Sequence, residues 1–358
     1  MVADNSPVLP GRLGSSEMRL RDDPRADPRM IAAMEPFGLA DPPEVVPLDG
    51  DSPLDAILGF VEGAEEGFEA LFGALVSGLP AVDGVTRTVE VITGIDGNDI
   101  TLFIHRPAGD GEPLPGVLHL HGGGMVLLEA AGAAYVRWRD ELAASGLVVV
   151  GVEFRNGGGK HGPHAFPAGL NDCSSALRWV LDNRDRLGIS KLVVSGESGG
   201  GNLTLATTLK AKRDGLADQI DGVYAMCPYI SNAYGAQPPE LTSLHENDGY
   251  FLSCQMMNLL ARVYDPAGEH GANPLAWPYH ATPEDLRGLP PHVISVNQLD
   301  PLRDEGLAYY RKLLDAGVAA VSRTVNGTCH AGDLIFSAAM PEVFAATIRD
   351  IKGFADSL

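Results

Sequence analysis

The sequence has no long run of apolar residues. Nowhere in its 358 residues does an apolar stretch approach the roughly 18 residues with which a helix crosses a bilayer. Residues 1–21 mix Asp, Pro, Arg and Gly and contain no apolar segment of signal-peptide length. We therefore expect a soluble protein of the cytoplasm that does not insert into membranes.

Cysteine is also scarce, with four residues that are widely spaced: Cys173, Cys227, Cys254 and Cys329. None forms a C-x-x-C pair, which argues against a zinc knuckle and against a redox motif. Four cysteines in a chain of this length do not make a disulfide scaffold. Buried free thiols, including Cys329, are the expectation, and they suit a reducing compartment.

Basic residues are few, since 26 Lys and Arg stand against 47 Asp and Glu and give a formal net charge of −21. A field of this sign repels phosphate backbones, so we exclude nucleic acid as a partner. Hydrophobic residues make up 45% of the chain and charged residues 20%, which is typical of a globular protein with a sizeable core.

From residue 87 onward, strand and helix patterns alternate. Short apolar, β-branched runs predict strands at 88–93, 100–106, 115–120, 147–154, 192–195, 222–227, 292–297 and 319–325. Helical patterns follow at about 128–144, 170–187, 199–213, 303–316 and 341–356. Two leading strands followed by repeated strand–helix units predict a mainly parallel sheet with helices on both faces.

Two segments depart from this alternation. Residues 1–86 are rich in Pro, Asp and Gly, with a short helix expected near residues 28–34. Residues 54–78 predict an amphipathic helix that has nothing of its own to pack against; its apolar residues are Ile57, Phe60, Phe68, Leu71, Phe72 and Leu75. Residues 228–290 resemble an insertion between two strands of the sheet.

The strongest chemical signal is a single G-x-S-x-G pentapeptide, residues 196–200, which lies between a predicted strand and a predicted helix. This context is what a nucleophile elbow requires, because a sharp strand-to-helix turn lifts the serine hydroxyl clear of the sheet. The motif alone is weak, and a glycine-rich turn with a bystander serine is the alternative. The context favours Ser198 as the nucleophile.

A second glycine-rich motif follows the strand at 115–120. It comprises His121, Gly122, Gly123 and Gly124, and we refer to residues 121–124 as the oxyanion loop. Acyl transfer passes through a tetrahedral oxyanion, which fixed backbone N–H groups stabilise. We expect Gly123 and Gly124 to supply such groups, with Gly199 as a third donor. His121 is expected to anchor the loop.

A nucleophilic serine needs a histidine base and a carboxylate that orients it. Asp300 and His330 each come just after a predicted strand, and the chain order Ser, Asp, His is that of α/β-hydrolases. Asp304 and Glu305 are rival acids, although they fall at the start of a helix, where they would complement its dipole. We rank Asp300 above both.

No cofactor or metal is predicted. The segment 157–160 lacks the first glycine of a phosphate-binding loop, since residue 154 is Phe. His161 and His164 have a spacing that metal ligands can use, but the sequence offers no third ligand nearby.

Three segments together resemble the hormone-sensitive-lipase family of bacterial carboxylesterases: residues 121–124, 196–200 and 300–306, the last reading DPLRDEG. Residues 152–155 and 166–172 are also similar to that family. The likeness covers residues 87–358. Three short segments depart from the family pattern: Glu-Ser-Gly at the elbow, residues 156–164, and residues 329–332 around the histidine.

The resemblance implies an α/β-hydrolase fold, with a mostly parallel central sheet of about eight strands, flanking helices and a helical cap. It implies Ser198, Asp300 and His330 as triad. Residues 1–86 and the 228–290 insertion would build the cap on a catalytic domain at 87–358. The supporting residues are His121, Gly122, Glu197 and Glu305. We expect an apolar cap lining, with Phe60, Phe68, Met256, Met257 and Trp277 as candidates; the alternative for each of them is an ordinary packing residue.

We predict a carboxylic ester hydrolase that acts on short- to medium-chain esters or lactones through an acyl-enzyme. The alternatives are an acyltransferase or amidase with the same triad, or a catalytically idle small-molecule binding protein. The expected partner is a small ester or lactone, and homo-oligomer formation is left open.

Overall fold

The fold is built around one eight-stranded sheet. The computed structural model describes residues 9–109 and 111–358. The strands are β1 (Val85–Thr93), β2 (Asp99–Pro107), β3 (Leu114–Leu120), β4 (Val148–Glu153), β5 (Ile189–Glu197), β6 (Gly222–Met226), β7 (His292–Leu299) and β8 (Ala320–Cys329). Their order is β1-β2-β4-β3-β5-β6-β7-β8; β2 is antiparallel to both of its neighbours, β1 and β4, and every other adjacent pair is parallel. The predicted mostly parallel sheet is confirmed.

Helices cover the sheet and connect its strands. They are α1 (Gly11–Gly14), α2 (Pro28–Met34), α3 (Leu54–Val76), α4 (Ala133–Ala144), α5 (Ala168–Asp182), α6 (Arg184–Leu187), α7 (Gly199–Arg213), α8 (Ser243–Glu246), α9 (Cys254–Tyr264), α10 (Pro283–Leu286), α11 (Arg303–Asp315), α12 (Gly332–Ile335) and α13 (Pro341–Ser357). No helix among the described residues is long and apolar enough to span a membrane.

The core lies along the central strands because their side chains are buried on both faces. Val117 of β3 is paired with Val149 of β4 on one side and with Val193 of β5 on the other, and all three are fully buried. Such Val-rich runs are typical of a parallel sheet between two helical layers. The edge strand β1 instead exposes alternate residues such as Val89 and Val91.

Some predicted boundaries were wrong. The helix expected from 128 begins only at Ala133, because Leu128 has a φ of 76° and the residues after it form a loop. The helix expected over 170–187 is divided at Asn183 into α5 and α6. Strand β8 continues past 325 to Cys329, through a register irregularity against β7. His330 therefore follows the last residue of β8 directly.

Helix α3, which belongs to the N-terminal segment 1–86, packs against α4 and α9. Ile57, Val61 and Leu71 are buried on its inner face, whereas Phe60 remains partly exposed. Side chains of α9 also bind the loop before α3, since the Gln255 amide donates to the carbonyls of Val46 and Leu48, at 2.7 and 2.9 Å. The N-terminal segment and the 228–290 insertion thus contact each other directly.

Candidate active site

Ser198 lies at the turn between β5 and α7. Its φ of 56° and ψ of −119° are rare for a residue with a side chain, and such strained conformations concentrate at functional sites. Its N–H donates to the Met226 carbonyl at 3.0 Å, which fixes the turn against β6. A Cβ on Gly199 would lie 2.5 Å from the nitrogen of Gly124, so only glycine lets the elbow approach the oxyanion loop.

The oxyanion loop presents unused backbone donors beside Ser198. Gly123 has a φ of 104°, and a Cβ there would lie 1.9 Å from the Leu127 carbonyl oxygen, so the loop requires glycine at this position. Among the described residues, the N–H groups of Gly123, Gly124 and Gly199 donate to no acceptor. The sequence predicts these same three groups as donors to an oxyanion.

His330 and Asp300 form a buried pair at the ends of β8 and β7. His330 Nδ1 lies 2.8 Å from Asp300 Oδ2, and Asp300 is fully buried. The other carboxylate oxygen, Oδ1, accepts the Leu302 N–H at 2.9 Å. An ionised carboxylate can only accept, so Nδ1 carries the proton and Nε2 presents its lone pair. Ser198 and His330 line the same cavity.

The rival acids are engaged elsewhere. Asp304 accepts the Ser243 N–H at 2.8 Å. Glu305 accepts the Ile230 N–H at 2.7 Å and the Tyr234 hydroxyl at 2.9 Å, which holds the chain that follows β6. Burial raises the pKa of Glu305 to about 8. Asp300 is therefore the acid that contacts His330.

Two of the residues expected to be supporting, Glu197 and His121, contact the backbone of a third, Gly122. Glu197, next to the serine, accepts the Gly122 N–H at 2.7 Å and lies 3.1 Å from His119 Nε2. His121 Nδ1 lies 2.8 Å from the Gly122 carbonyl oxygen, and its ring stacks on Phe154 with centroids 4.2 Å apart. Burial lowers the pKa of His121 to about 3, so this imidazole is neutral near pH 7.

Sequence reasoning missed Glu65, a buried carboxylate on α3. One of its oxygens accepts the Leu128 N–H at 2.7 Å and the other accepts the Lys160 N–H at 2.8 Å. Glu65 thereby joins the N-terminal segment to two loops of the sheet domain. The helical spacing could have indicated that Glu65 is buried, because Glu65 lies four residues after Val61 on the face that α3 buries.

The cavity above Ser198 is small and mainly apolar, with a volume of about 60 Å³. Helix α3 contributes Phe68 and Phe72 to its wall, and α9 contributes Met256, Met257 and Leu260. Phe60 and Trp277, which were expected in the lining, do not line it. Trp277 is buried against other aromatic rings instead.

The neighbouring thiol is neutral. Cys227 lies close to Asp300 and His330, and burial together with the nearby carboxylates raises its pKa well above the ordinary value. All four cysteines are buried and free, as expected from the sequence. A neutral buried thiol is a space-filling group rather than a nucleophile.

Residues 117–333, more than half of the chain, match a family with the α/β-hydrolase fold. The chain belongs to this α/β-hydrolase family. A solved structure of brefeldin A esterase, described as a bacterial homologue of human hormone sensitive lipase, is 47% identical, covers 98% of each chain and superposes with a TM-score of 0.95. Esterase Est22 is 36% identical over 95% of this chain and 99% of its own, with a TM-score of 0.85.

Curated relatives agree with this placement. Carboxylesterase NlhH of Mycobacterium tuberculosis is 31% identical over 280 residues, which are 76% of this chain and 83% of that protein. An arylesterase of Saccharolobus solfataricus is 31% identical over 66% of this chain and 74% of its own length. The expected likeness to the hormone-sensitive-lipase family is confirmed, and so is the prediction of a carboxylesterase.

Proposed function

We propose that the protein hydrolyses carboxylic esters with Ser198 as nucleophile, His330 as base and Asp300 as the group that orients the base. One observation carries the proposal. The strained serine turn and the buried His330–Asp300 pair meet at one cavity, beside three backbone donors that have no acceptor within the described part of the chain. These are the parts that acyl transfer needs, in the chain order of this fold.

The proposed reaction has two halves. Ser198 Oγ attacks the carbonyl carbon while His330 Nε2 takes the hydroxyl proton, and the N–H groups of Gly123, Gly124 and Gly199 stabilise the oxyanion. The imidazolium then gives that proton to the leaving alcohol oxygen, which leaves an acyl-enzyme. A water molecule repeats the sequence, with His330 again as base, and releases the acid and the free serine.

We further propose that the substrate has a short to medium acyl chain or is a lactone, which is an internal ester. A cavity of about 60 Å³ holds roughly four to six water-sized groups.

Residues 1–86 and 228–290 act as the cap over the catalytic domain at 87–358. In support of this, α3 and α9 both line the cavity.

The test is hydrolysis of p-nitrophenyl esters from acetate to palmitate. We expect turnover on the shorter chains, and a loss of at least about a thousandfold in Ser198→Ala, as for triad serines generally. Ser190→Ala is the matched control, because Ser190 is an exposed residue near the opposite end of the same strand. Full activity in Ser198→Ala would refute the proposal, as would no activity in the wild type on any ester.

A further inference from the structure

The segment at residues 23–30 is connected to both members of the buried Asp300–His330 pair. It comprises the loop before α2 and the first turn of that helix. None of its residues lines the cavity above Ser198. A place in the cap over the substrate therefore does not explain these connections.

On the side of the base, the segment contacts the end of β8, which directly precedes His330. Met30 is fully buried, and its Sδ accepts the N–H of Cys329 at 3.3 Å. The N–H of Asp27 donates to the Gly327 carbonyl at 2.9 Å. Because Cys329 and His330 are adjacent in the chain, these two contacts fix the backbone that carries the imidazole.

On the side of the acid, the connection is made through Asn247 of the insertion. Asn247 is fully buried, and its Nδ2 donates to the Asp300 carbonyl at 3.1 Å, while its Oδ1 accepts the Arg25 guanidinium at 3.3 Å. A guanidinium can only donate, so Arg25 selects the amide orientation in which Nδ2 faces Asp300. Arg25 is itself held by ion pairs with Asp23, at 2.7 Å, and with Glu246.

The geometry of the acid and base depends on the ends of two strands. Asp300 follows β7 and His330 follows β8, and the hydrogen bond between their side chains is 2.8 Å long. A shift of either strand end would lengthen this bond or turn Nε2 away from Ser198. A misplacement of about 1 Å can cost roughly a hundredfold in rate. The segment at 23–30 restricts such shifts because it is connected to both ends.

We propose that Arg25 and Met30 are positioning residues for the catalytic acid and base. Arg25 orients the amide that holds the Asp300 carbonyl, and Met30 holds the backbone next to His330. Neither lines the cavity, so both act by keeping the pair in the geometry that accepts the serine proton. The inference rests on the proposed function, because it takes Asp300 and His330 as the acid and the base.

The test uses two conservative variants of the full chain, each with a matched control. Met30→Leu nearly conserves the volume and removes the acceptor, and Met34→Leu makes the same change at a buried methionine of the same helix. Arg25→Lys keeps the positive charge beside Asp23 and Glu246 but loses the planar fork that also reaches Asn247.

The control for Arg25→Lys is Arg29→Lys, because Arg29 lies in the same segment and pairs with Asp27 and Glu342 instead. On a short p-nitrophenyl ester, kcat should fall at least about fivefold in Met30→Leu and in Arg25→Lys, while KM stays within about twofold of the wild type. Both controls should keep the kcat and the KM of the wild type.

A second measurement separates positioning from folding. The rate constant for labelling of Ser198 by a fluorophosphonate should fall in proportion to kcat, because the probe reacts with the activated serine. The final extent of labelling should remain that of the wild type, since unfolded protein would lower the extent rather than the rate constant.

Three results would overturn the proposal. One is an unchanged kcat and labelling rate in both variants. The second is a rise in KM at constant kcat, which would make the segment part of the cap over the substrate. The third is a loss of final labelling that accounts for the whole loss of kcat, which would mean that the two residues serve the fold alone. Failure of the proposed function is distinguishable, because it would appear as full activity in Ser198→Ala.

Discussion

Replacing Glu65 by alanine should destabilise the protein more than any nearby surface change. The substitution removes the acceptor of two backbone N–H groups, those of Leu128 and Lys160. A buried donor left without an acceptor costs about 1–3 kcal/mol. The Leu128 group is buried and loses its partner outright, whereas Lys160 is exposed and water can replace the carboxylate there. We therefore expect a loss of about 2–4 kcal/mol in the free energy of unfolding.

Urea unfolding followed by far-UV circular dichroism measures this loss, with Glu66→Ala as the control. Glu66 is the next residue on the same helix and is exposed, so its truncation should stay within about 0.5 kcal/mol of the wild type. Activity on a short ester should also fall in Glu65→Ala, because Leu128 lines the cavity. Equal stability of Glu65→Ala and Glu66→Ala would refute the reasoning that this carboxylate joins α3 to the sheet domain.

Three other changes test separate parts of the account. Asp300→Asn should lower kcat by roughly 10³–10⁴-fold, because the amide favours the wrong tautomer of His330; a loss below tenfold in steady-state kinetics would contradict this role. Phe72→Ala should enlarge the cavity and raise the ratio of kcat/KM for p-nitrophenyl octanoate over acetate at least about tenfold, and an unchanged ratio would show that Phe72 does not limit chain length. Burial raises the pKa of Glu305 from 4.5 to about 8, which favours the protonated carboxyl in the folded protein. The stability of the wild type relative to Glu305→Gln should therefore fall as the pH rises from 4.5 to 8 in urea titrations, and a flat difference would contradict the shift.

The sheet and the catalytic candidates could be predicted because each depends on local sequence. A buried parallel strand needs a run such as the valines of β4, whatever surrounds it. Ser198 and the oxyanion loop are marked by glycines that the turns require, and His330 by its position after a strand. The order of functional residues along the chain then restricts the choice of acid to a few carboxylates.

What could not be predicted depends on contacts between distant parts of the chain. Glu65 is recognisable only when the loop at Leu128 and the turn at Lys160 lie beside it. The two carboxylates within 4 Å of His161 Nε2 lie 32 and 8 residues earlier in the chain, at Glu129 and Glu153, and no local spacing marks them. The predicted start of a helix at residue 128 was wrong for a similar reason, because a distant residue determines the local structure. Glu153 accepts two N–H groups of the loop there, which stabilises it as a loop rather than a helix.

The most direct test of the central claim is labelling with a fluorophosphonate, which reacts with an activated serine and mimics the first half of the proposed reaction. Intact-mass measurement and peptide mapping should find one label per chain, on Ser198, with esterase activity lost in proportion to labelling. Ser198→Ala should remain unlabelled. Loss of activity with the label on another residue, or equal labelling of Ser198→Ala, would contradict the assignment of Ser198 as the nucleophile.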